Sequence, residues 1–553
     1  MKNKPVCLML TALVIMLSSL TLPAAAETDV TTLYKNKDVD DTWSLSDAQL
    51  IDLNAVQGGV VTISEKGDYV LQGTLNGQIV IEASEEDKVR LILNGVAIES
   101  PQGPAIYEKQ ADKLIVTLAA GAENALTDGT PIIDADDTIG AALYAEDDLS
   151  INGTGSLTVN GTQKHGIQSK ADLILASGSI TVTAVSDGIR ARNSLLVLDG
   201  DIRVTAGGDG LTTTRTDAEG KGWIVLAGGS ITVRTGEGAG AVRVSANSKG
   251  GFGGRGGWDD WGSASGSSDS GVSQKAVKAA TDLTVLVGTY VFDCADDGLH
   301  GVNVTVSGGT LSIQSGDDGM HADKEMTVNA GTIDISQGYE GLEGENVTVN
   351  GGTIRIVSSD DGINASGGSD GSGFGGWGRS GGFTASGSGG MLTISGGQLA
   401  VTAGGDGLDS NGSISITGGV TGVWAATTTG EGAIDFNGSG TVSGGTLIVA
   451  STGGVMRDTA GLTGQSIMAF SASGSAGEAV QVLDANGTVL GSFTPESAFD
   501  TLMISSPQLQ TGSAFTVQTG SRTLYSGTMT NSTTTTNGND GFGNGRGRNR
   551  RGW

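Results

Sequence analysis

Disulfide chemistry is almost closed to this chain, whose 553 residues include two cysteines, Cys7 and Cys294. Cys7 opens an apolar N-terminal run, so removal of that run would leave Cys294 alone and no intramolecular bridge. Histidine is as scarce: His165, His300 and His321 are read as surface polar residues rather than ligands. Aromatics are 4% of the chain and the apolar share is 37%, which suffices for a core only if that core is narrow and built from small aliphatics. Positive charge is short too, with 31 Lys and Arg against 60 Asp and Glu, a formal charge of −29. So acidic a surface argues against nucleic acid as a partner and towards cation binding. What the chain has in excess is glycine, 94 residues, well above the usual ~7% share and without a collagen period.

Lys2 and Lys4 precede CLMLTALVIMLSSLTL, and TLPAAAE ends in small residues, the pattern of a secretory signal over 1–26 cleaved after Ala26. The run is short and wrongly flanked for a membrane anchor. Cleavage would take the charge from −29 to −31 by removing the two lysines. The expectation is an exported protein, secreted or held at the cell surface, that something other than disulfides must stabilise.

That something is periodic. An acid or polar residue, then Gly or Ala, then an aliphatic recurs as HGIQ at Gly166, SDGIR at Gly188, GDGL at Gly210, DDGLH at Gly298 and DDGMH at Gly319. It continues as YEGLE at Gly341, DDGIN at Gly362, GDGLD at Gly407 and EGAID at Gly432, with weaker copies at Ala105, Ala142, Ala241 and Ala276. Undisturbed spacings are 22, 22, 21, 22 and 21. Roughly halfway along each unit comes a second glycine turn, as in SGGTLSI, NAGTIDI and NGGTIRI. Runs such as LTVLV and MTVNAGTIDI alternate apolar and polar residues with β-branched enrichment, the mark of short half-buried strands. Asn-Gly, Asp-Gly and Gly-Gly turns are expected to supply positive φ. Two or three short strands per ~22-residue unit define one rung of a solenoid. The fold class is therefore all-β: a parallel β-helix, right-handed by the crossover rule. About thirteen rungs at ~4.8 Å each would make a rod ~60 Å long.

The domain reading is an N-terminal segment over 27–59, the β-helix over 60–460, a C-terminal β module or cap over 461–530, and an Arg/Gly-rich tail over 531–553. Two Gly/Ser-rich insertions near 245–272 and 366–390 carry aromatics, among them Trp258, Trp261, Phe374 and Trp377. Both are expected to leave shortly after the same turn of the rung and so to share one edge, where flat rings can stack on sugar faces.

Stacking sets Asp296 and Asp297 over Asp317 and Asp318, then Glu340, then Asp360 and Asp361, one strand spacing apart. Carboxylates that close repel by ~1 kcal/mol per pair in water and several-fold more beside a low-dielectric wall. A divalent cation between them removes that cost, and calcium–oxygen bonds of about 2.3–2.6 Å span close to one rung. Asp323, Glu343 and Asp409, just past the turn, extend the ligand set. Asp187, Asp209 and Asp406 stand as single acids and are equally readable as turn residues bonding their own backbone. All-oxygen chemistry without a Cys/His set favours calcium over zinc or copper.

The segment NGVAIESPQGPAIYEKQADKLIVTLAAGAENALTDG, then ALYAEDDLSINGTGSLTVNGTQKHGIQSKADLIL, then the DGI and GG[ST]I rungs, resembles a family. It is that of the secreted calcium-binding, right-handed β-helix carbohydrate-binding proteins of cellulose-degrading clostridia and relatives, whose fold is polysaccharide-lyase-like. The resemblance runs over about 35–528 and includes QVLDANGTVLGSFTPESAFDTLMISSP. It implies non-catalytic binding of cellulose and of acidic polysaccharides such as polygalacturonate, with calcium along the helix. Two alternatives stay open. One is a calcium-dependent, pectate-type lyase, for which Lys170, Arg190, Arg192 or Lys324 would supply a base. The other is an adhesin or surface protein whose calcium is purely structural.

Overall fold

The computed structural model describes residues 29–133, 138–241, 272–366, 389–425, 432–452 and 461–531. Residues 29–35 form a small unit of their own, in which the Asp29 carboxylate accepts from Thr31 N (3.1 Å) and caps a single turn, Val30–Thr32. From Asn36 onward the chain is one unit, and nearly all of its regular structure is strand.

Each rung carries three short strands, and each strand pairs in parallel with its equivalent on the next rung. Face one follows the acidic turn: Ile167, Ile189, Leu211, Val277, Leu299 and Met320 stand one above another. Face two stacks Leu173, Leu195, Ile224, Leu283, Val304 and Met326. Face three stacks Ile180, Ile202, Ile231, Tyr290, Leu311 and Ile333. All three columns are buried in one continuous core. The alternating pattern produces this directly, because every second side chain of a strand points inward and meets its own repeat above and below. Each buried aliphatic contributes about 1.5–3 kcal/mol, and the core stays as narrow as its small side chains require.

The glycines divide into two kinds. Positive φ belongs to the second turn, at Gly309 (85°), Gly331 (108°), Gly352 (92°) and Gly397 (83°). The glycines of the acidic turns are not among the positive-φ residues, so Asp-Gly supplies that conformation at Asp199-Gly200 (119°) but not before face one. They are needed for space. A Cβ on Gly319 would lie 2.7 Å from Gly341 O and 2.7 Å from Ile335 Cδ1, and one on Gly188 would collide with Val204. The turn backbone thus rests directly on the side chains of face three.

Parallel pairing begins before Val60, with Gln49–Asp52 against Gly67–Asn76, and runs to Leu462–Gly464. Ahead of it, the turn Asn36–Val39 buries Asp38, whose carboxylate meets Lys113 Nζ (2.5 Å) and Ser150 Oγ (2.8 Å). At the far end Phe499–Ser505 pairs antiparallel with both Gly440–Ser451 and Ile467–Gly474, so the last face-three strand is not left as an open edge. A four-stranded antiparallel sheet (Val489–Phe493, Val480–Asp484, Ala514–Thr519, Arg522–Thr528) follows. Its Tyr525 stacks on Phe515 of the same sheet and on Phe470 of Ile467–Gly474.

Two readings of the repeat need correcting. Ala241 does not start a rung: Leu211–Thr213 pairs directly with Val277–Lys278, which pairs with Leu299 and His300. The segment GAVRV mimics a turn and strand, but the stacking position is filled by Ala276 and Val277. Consequently the two insertions do not leave from one turn. The first lies between face three (Ser230–Thr235) and face one (Val277–Lys278), the second between face one (Ile363–Ala365) and face two (Met391–Ile394).

Gly319→Ala should therefore destabilise the helix by about 1–3 kcal/mol through overpacking. Gly240→Ala, where a Cβ meets nothing within 4 Å, should leave stability unchanged. Urea-unfolding midpoints measure both, and equal midpoints would mean that the turn has room to relax.

Candidate cation-binding ladder

A turn precedes face one, and from Asp187 to Asp406 its last residue before the Gly or Ala forms a column, acidic except at one rung: Asp187, Asp209, Lys275, Asp297, Asp318, Glu340, Asp361, Asp406. Their carbonyls are bonded rung to rung, for example by Gly188 N to Asp209 O (2.9 Å) and Gly319 N to Glu340 O (3.0 Å). Their carboxylates do the same. Asp187 Oδ1 accepts from Asp209 N (3.1 Å), Asp209 Oδ1 from Lys275 N (3.0 Å), Asp297 Oδ1 from Asp318 N (3.2 Å), and Asp318 Oδ1 from Glu340 N (3.1 Å). Asp361 Oδ1 accepts from Asp406 N (2.6 Å). One oxygen of each of these aspartates thus satisfies a backbone N–H that parallel pairing leaves over at the corner, whereas Glu340 Oε1 accepts from the Asn364 side chain instead. The other aspartate oxygen is turned towards face one.

A second column stands there, three residues further along. Face-one register puts Arg190, Thr212, Lys278, His300, His321, Glu343, Asn364, Asp409 and Asp435 in line. Along the first rungs this column supplies cations to the first. Arg190 Nη1 lies 2.5 Å from Asp187 Oδ2, Lys278 Nζ 3.8 Å from Asp209 Oδ2, His300 Nδ1 3.0 Å from Asp297 Oδ2, and His321 Nδ1 3.1 Å from Asp318 Oδ2. Lys275 adds a buried ammonium inside the acid column itself, 2.9 Å from Asp296 and 2.5 Å from Asp297.

From Glu340 onward the same two columns are acid beside acid or acid beside amide. Among the described residues no Lys, Arg or His forms an ion pair with Glu340, Asp360 or Asp361. Two buried oxygens there, Glu340 Oε2 and Asn364 Oδ1, have no hydrogen-bond partner, although Asn364 Nδ2 donates to Glu340 Oε1 (2.9 Å). One oxygen from each of Asp406, Asp409 and Asp435 lies within 4.8 Å of the other two.

Proton affinities follow the change. Burial opposes the charge of Asp297, yet Lys275 and then His300 hold its carboxyl well below the ordinary range. Burial raises Asp296, Asp209 and Asp318. For Glu340, burial and then Glu343 push the carboxyl up to about 9. For Asp361, burial and then Asp360, Asp409 and Asp406 push it up to about 8. His321 goes the other way: burial disfavours its charge, but hydrogen bonds to Asp318 and Glu343 raise it to about 11.

The structure brings together most of the residues singled out in the sequence. Asp296, Asp297 and Asp317 form one cluster, and Asp318 and Glu343 meet at His321. Asp323 faces both histidine rings, and Asp360 accepts from the Tyr339 hydroxyl. Asp187 and Asp209 fall outside the acidic stretch, being held by Arg190 and Lys278. Trp258, Trp261, Phe374 and Trp377 lie outside the described residues, as does the N-terminal leader. The expectation of surface histidines is corrected: His165 and His321 are buried and His300 nearly so, all three against carboxylates of the column. Lys275, Asn364 and Asp435 were missed. For Asn364 the signal was legible in the letter three places past each column residue, which reads R, T, K, H, H, E, N and D from Arg190 to Asp409.

The chain is thus a parallel β-helix with a ladder of stacked carboxylates along one corner of its rungs. The chain matches the family model described as carbohydrate-binding domain-containing protein over residues 57–319 and 301–373, more than half its length, and belongs to that family. A carbohydrate-binding domain-containing protein of Acetivibrio thermocellus is 43% identical over 191 residues, covering 34% of this chain and 67% of that protein. A solved structure described as the polysaccharide lyase-like protein from C. thermocellum, gadolinium derivative, is 26% identical. That match covers 48% of this chain and 92% of that one, with a TM-score of 0.36. Among the described residues no helix is long and apolar enough to cross a membrane.

The raised carboxyls predict a pH effect with a definite sign. An acid whose folded-state pKa exceeds its unfolded value stabilises the fold below the unfolded pKa and loses that contribution as pH rises through the folded one. In chelator the melting temperature should fall as pH rises from about 4.5 towards 9, the window of Glu340. Glu340→Gln should flatten the decline. A chelated wild-type melt that is level across this range would show that these acids are not desolvated.

Proposed function

We propose that the protein is an exported, non-catalytic binder of plant cell-wall polysaccharide that uses calcium held at the acidic end of its ladder to engage uronate carboxylates. One observation carries the reading. Among the described residues Arg190, Lys278, His300 and His321 each form an ion pair with an acid of the column, whereas no Lys, Arg or His does so with Glu340, Asp360 or Asp361. Glu340, Asp361 and Asn364, with Glu343 and Asp360 beside them, supply hard oxygen donors of the kind calcium takes. Bound there, calcium would contribute charge neutralisation and an open position for a carboxylate from outside.

An acidic glycan also suits the opposite end of face one. Lys164, Lys170, Arg190 and Arg192 line a cleft of about 200 Å³ with His165, Gln168, Ser169 and Thr214. A linear polyuronate laid along face one would meet fixed cations at one end and calcium at the other. Cellulose, which carries no charge, would rely on flat stacking surfaces, the role assigned to Trp258, Trp261, Phe374 and Trp377. Export rests on the leader pattern of residues 1–26. The same basic cleft, with His165, Lys170 and Arg190, is what a lyase reading would use as its source of a general base.

Calcium at a hundred times its dissociation constant should stabilise the protein by about 2.7 kcal/mol. Glu340→Gln combined with Asp361→Asn should abolish that increment, whereas Asp187→Asn should lower stability but keep it. Retention on calcium pectate gel and on insoluble cellulose, with and without chelator, tests the binding. Calcium-dependent retention without formation of the unsaturated uronide chromophore supports the proposal; formation of the chromophore identifies a lyase. Identical retention by the double variant removes the calcium argument.

A further inference from the structure

Among the described residues one aromatic side chain is exposed at the surface, Tyr339 at 46%, whereas Trp43, Trp223 and Trp424 are half-buried. A single exposed apolar residue needs no explanation by itself. Tyr339 differs in where it stands and in how it is held. The segment YEGLE puts it where neighbouring rungs read DDGLH, DDGMH and DDGIN, so it replaces the first acid of the doublet and directly precedes Glu340. Its backbone is bonded into that column: Tyr339 N donates to Asp317 O (2.7 Å), and Asp360 N donates to Tyr339 O (2.9 Å).

The Tyr339 hydroxyl donates to the Asp360 carboxylate on the next rung, so the ring is tethered at its far end as well. One rung past Asp360 the column continues with Gly405, whose N–H is bonded to Asp360 O (3.0 Å) and which offers no side chain. A Cβ there would lie 2.6 Å from Asp360 Oδ1 and 2.5 Å from Asp361 Oδ1. The acid oxygens therefore gather over a bare step, with the tyrosine on the rung before them. A hydrogen bond to an acid does not by itself call for a ring, since the amide of Asn364 does that service for Glu340. What the ring adds is a flat apolar face, held in place and partly open to solvent, beside hard oxygens. Carbohydrate and other small-ligand sites combine these two elements, an apolar surface and a few convergent polar groups.

We propose that Tyr339 is the sugar-ring platform at the acidic end of the ladder. A uronate whose carboxylate joins calcium at Glu340 and Asp361 lays the C–H face of its pyranose ring on the Tyr339 side chain. The inference rests on the calcium reading and adds what that reading leaves out. Calcium recognises a carboxylate; the ring recognises the sugar that carries it, and so sets a polyuronate apart from other anions.

The test uses the full chain and two titrations, calcium alone and then a short galacturonate oligomer into the calcium-saturated protein. Tyr339→Leu should weaken the oligomer about ten-fold and leave calcium affinity unchanged. Tyr339→Phe, which keeps the ring and loses the hydroxyl, should bind the oligomer as the wild type does. Oligomer affinity unchanged in Tyr339→Leu would overturn the proposal. A loss as large in Tyr339→Phe as in Tyr339→Leu would do the same, because the residue would then act through its bond to Asp360. A wild-type chain that takes up calcium but no oligomer overturns the platform and leaves the calcium site standing. One that takes up no calcium removes both, and the first titration tells these outcomes apart.

Discussion

In-register parallel stacking is the constraint on which everything else in this protein depends. It makes each residue's principal neighbour the equivalent residue of the next rung, at one strand spacing. Apolar positions thrive under that rule, because leucine on isoleucine on valine builds a core without any long-range design. Charged positions do not, because acid on acid is repulsive. The ladder beside face one is where the rule becomes costly, and its chemistry is a set of answers to that cost.

Three answers appear along the same corner. One oxygen of each of Asp187, Asp209, Asp297, Asp318 and Asp361 is absorbed by a backbone N–H of the next rung and completes the corner's hydrogen bonding. The second oxygen is neutralised first by Arg190 and Lys278, then by Lys275, His300 and His321 at the centre. Among the described residues no Lys, Arg or His forms an ion pair with Glu340, Asp360 or Asp361, and burial beside other acids pushes the Glu340 carboxyl up to about 9 and that of Asp361 up to about 8. A group that is neutral only because it has no cation is a group ready to exchange its proton for one. The proposed calcium site lies there, at Glu340 and Asp361.

The glycine economy of the chain has the same origin. Turn glycines at the acidic corner exist because the backbone lies directly on Val204, Ile335 and Ile356, with no depth for a Cβ. Glycines of the second turn exist for a left-handed backbone. Both serve a rung short enough for three strands to enclose a core only a few side chains wide, and both leave side chains free for chemistry only beside the strands.

The period of 21 or 22 and the strand-and-turn alternation were legible without coordinates, because a solenoid's contacts are local in repeat space. Aligning the rungs also brought Asp297, Asp318 and Asp361 together correctly. What could not be read was which neighbour each acid has sideways. That depends on face-one register, which sets Arg190 beside Asp187 but Glu343 beside Glu340, and on burial, which turned histidines expected at the surface into partners of the column. The pretender rung at Ala241 failed for a related reason: local pattern proposes a strand, but only stacking on Leu211 and Leu299 decides which segment occupies the position. Sequence by itself therefore determined the architecture and the identity of the stacked acids, since both follow from periodicity. Tertiary structure alone decided where the ladder carries its own counter-charge and where it lacks one, because that balance is set across the corner between two columns rather than along either.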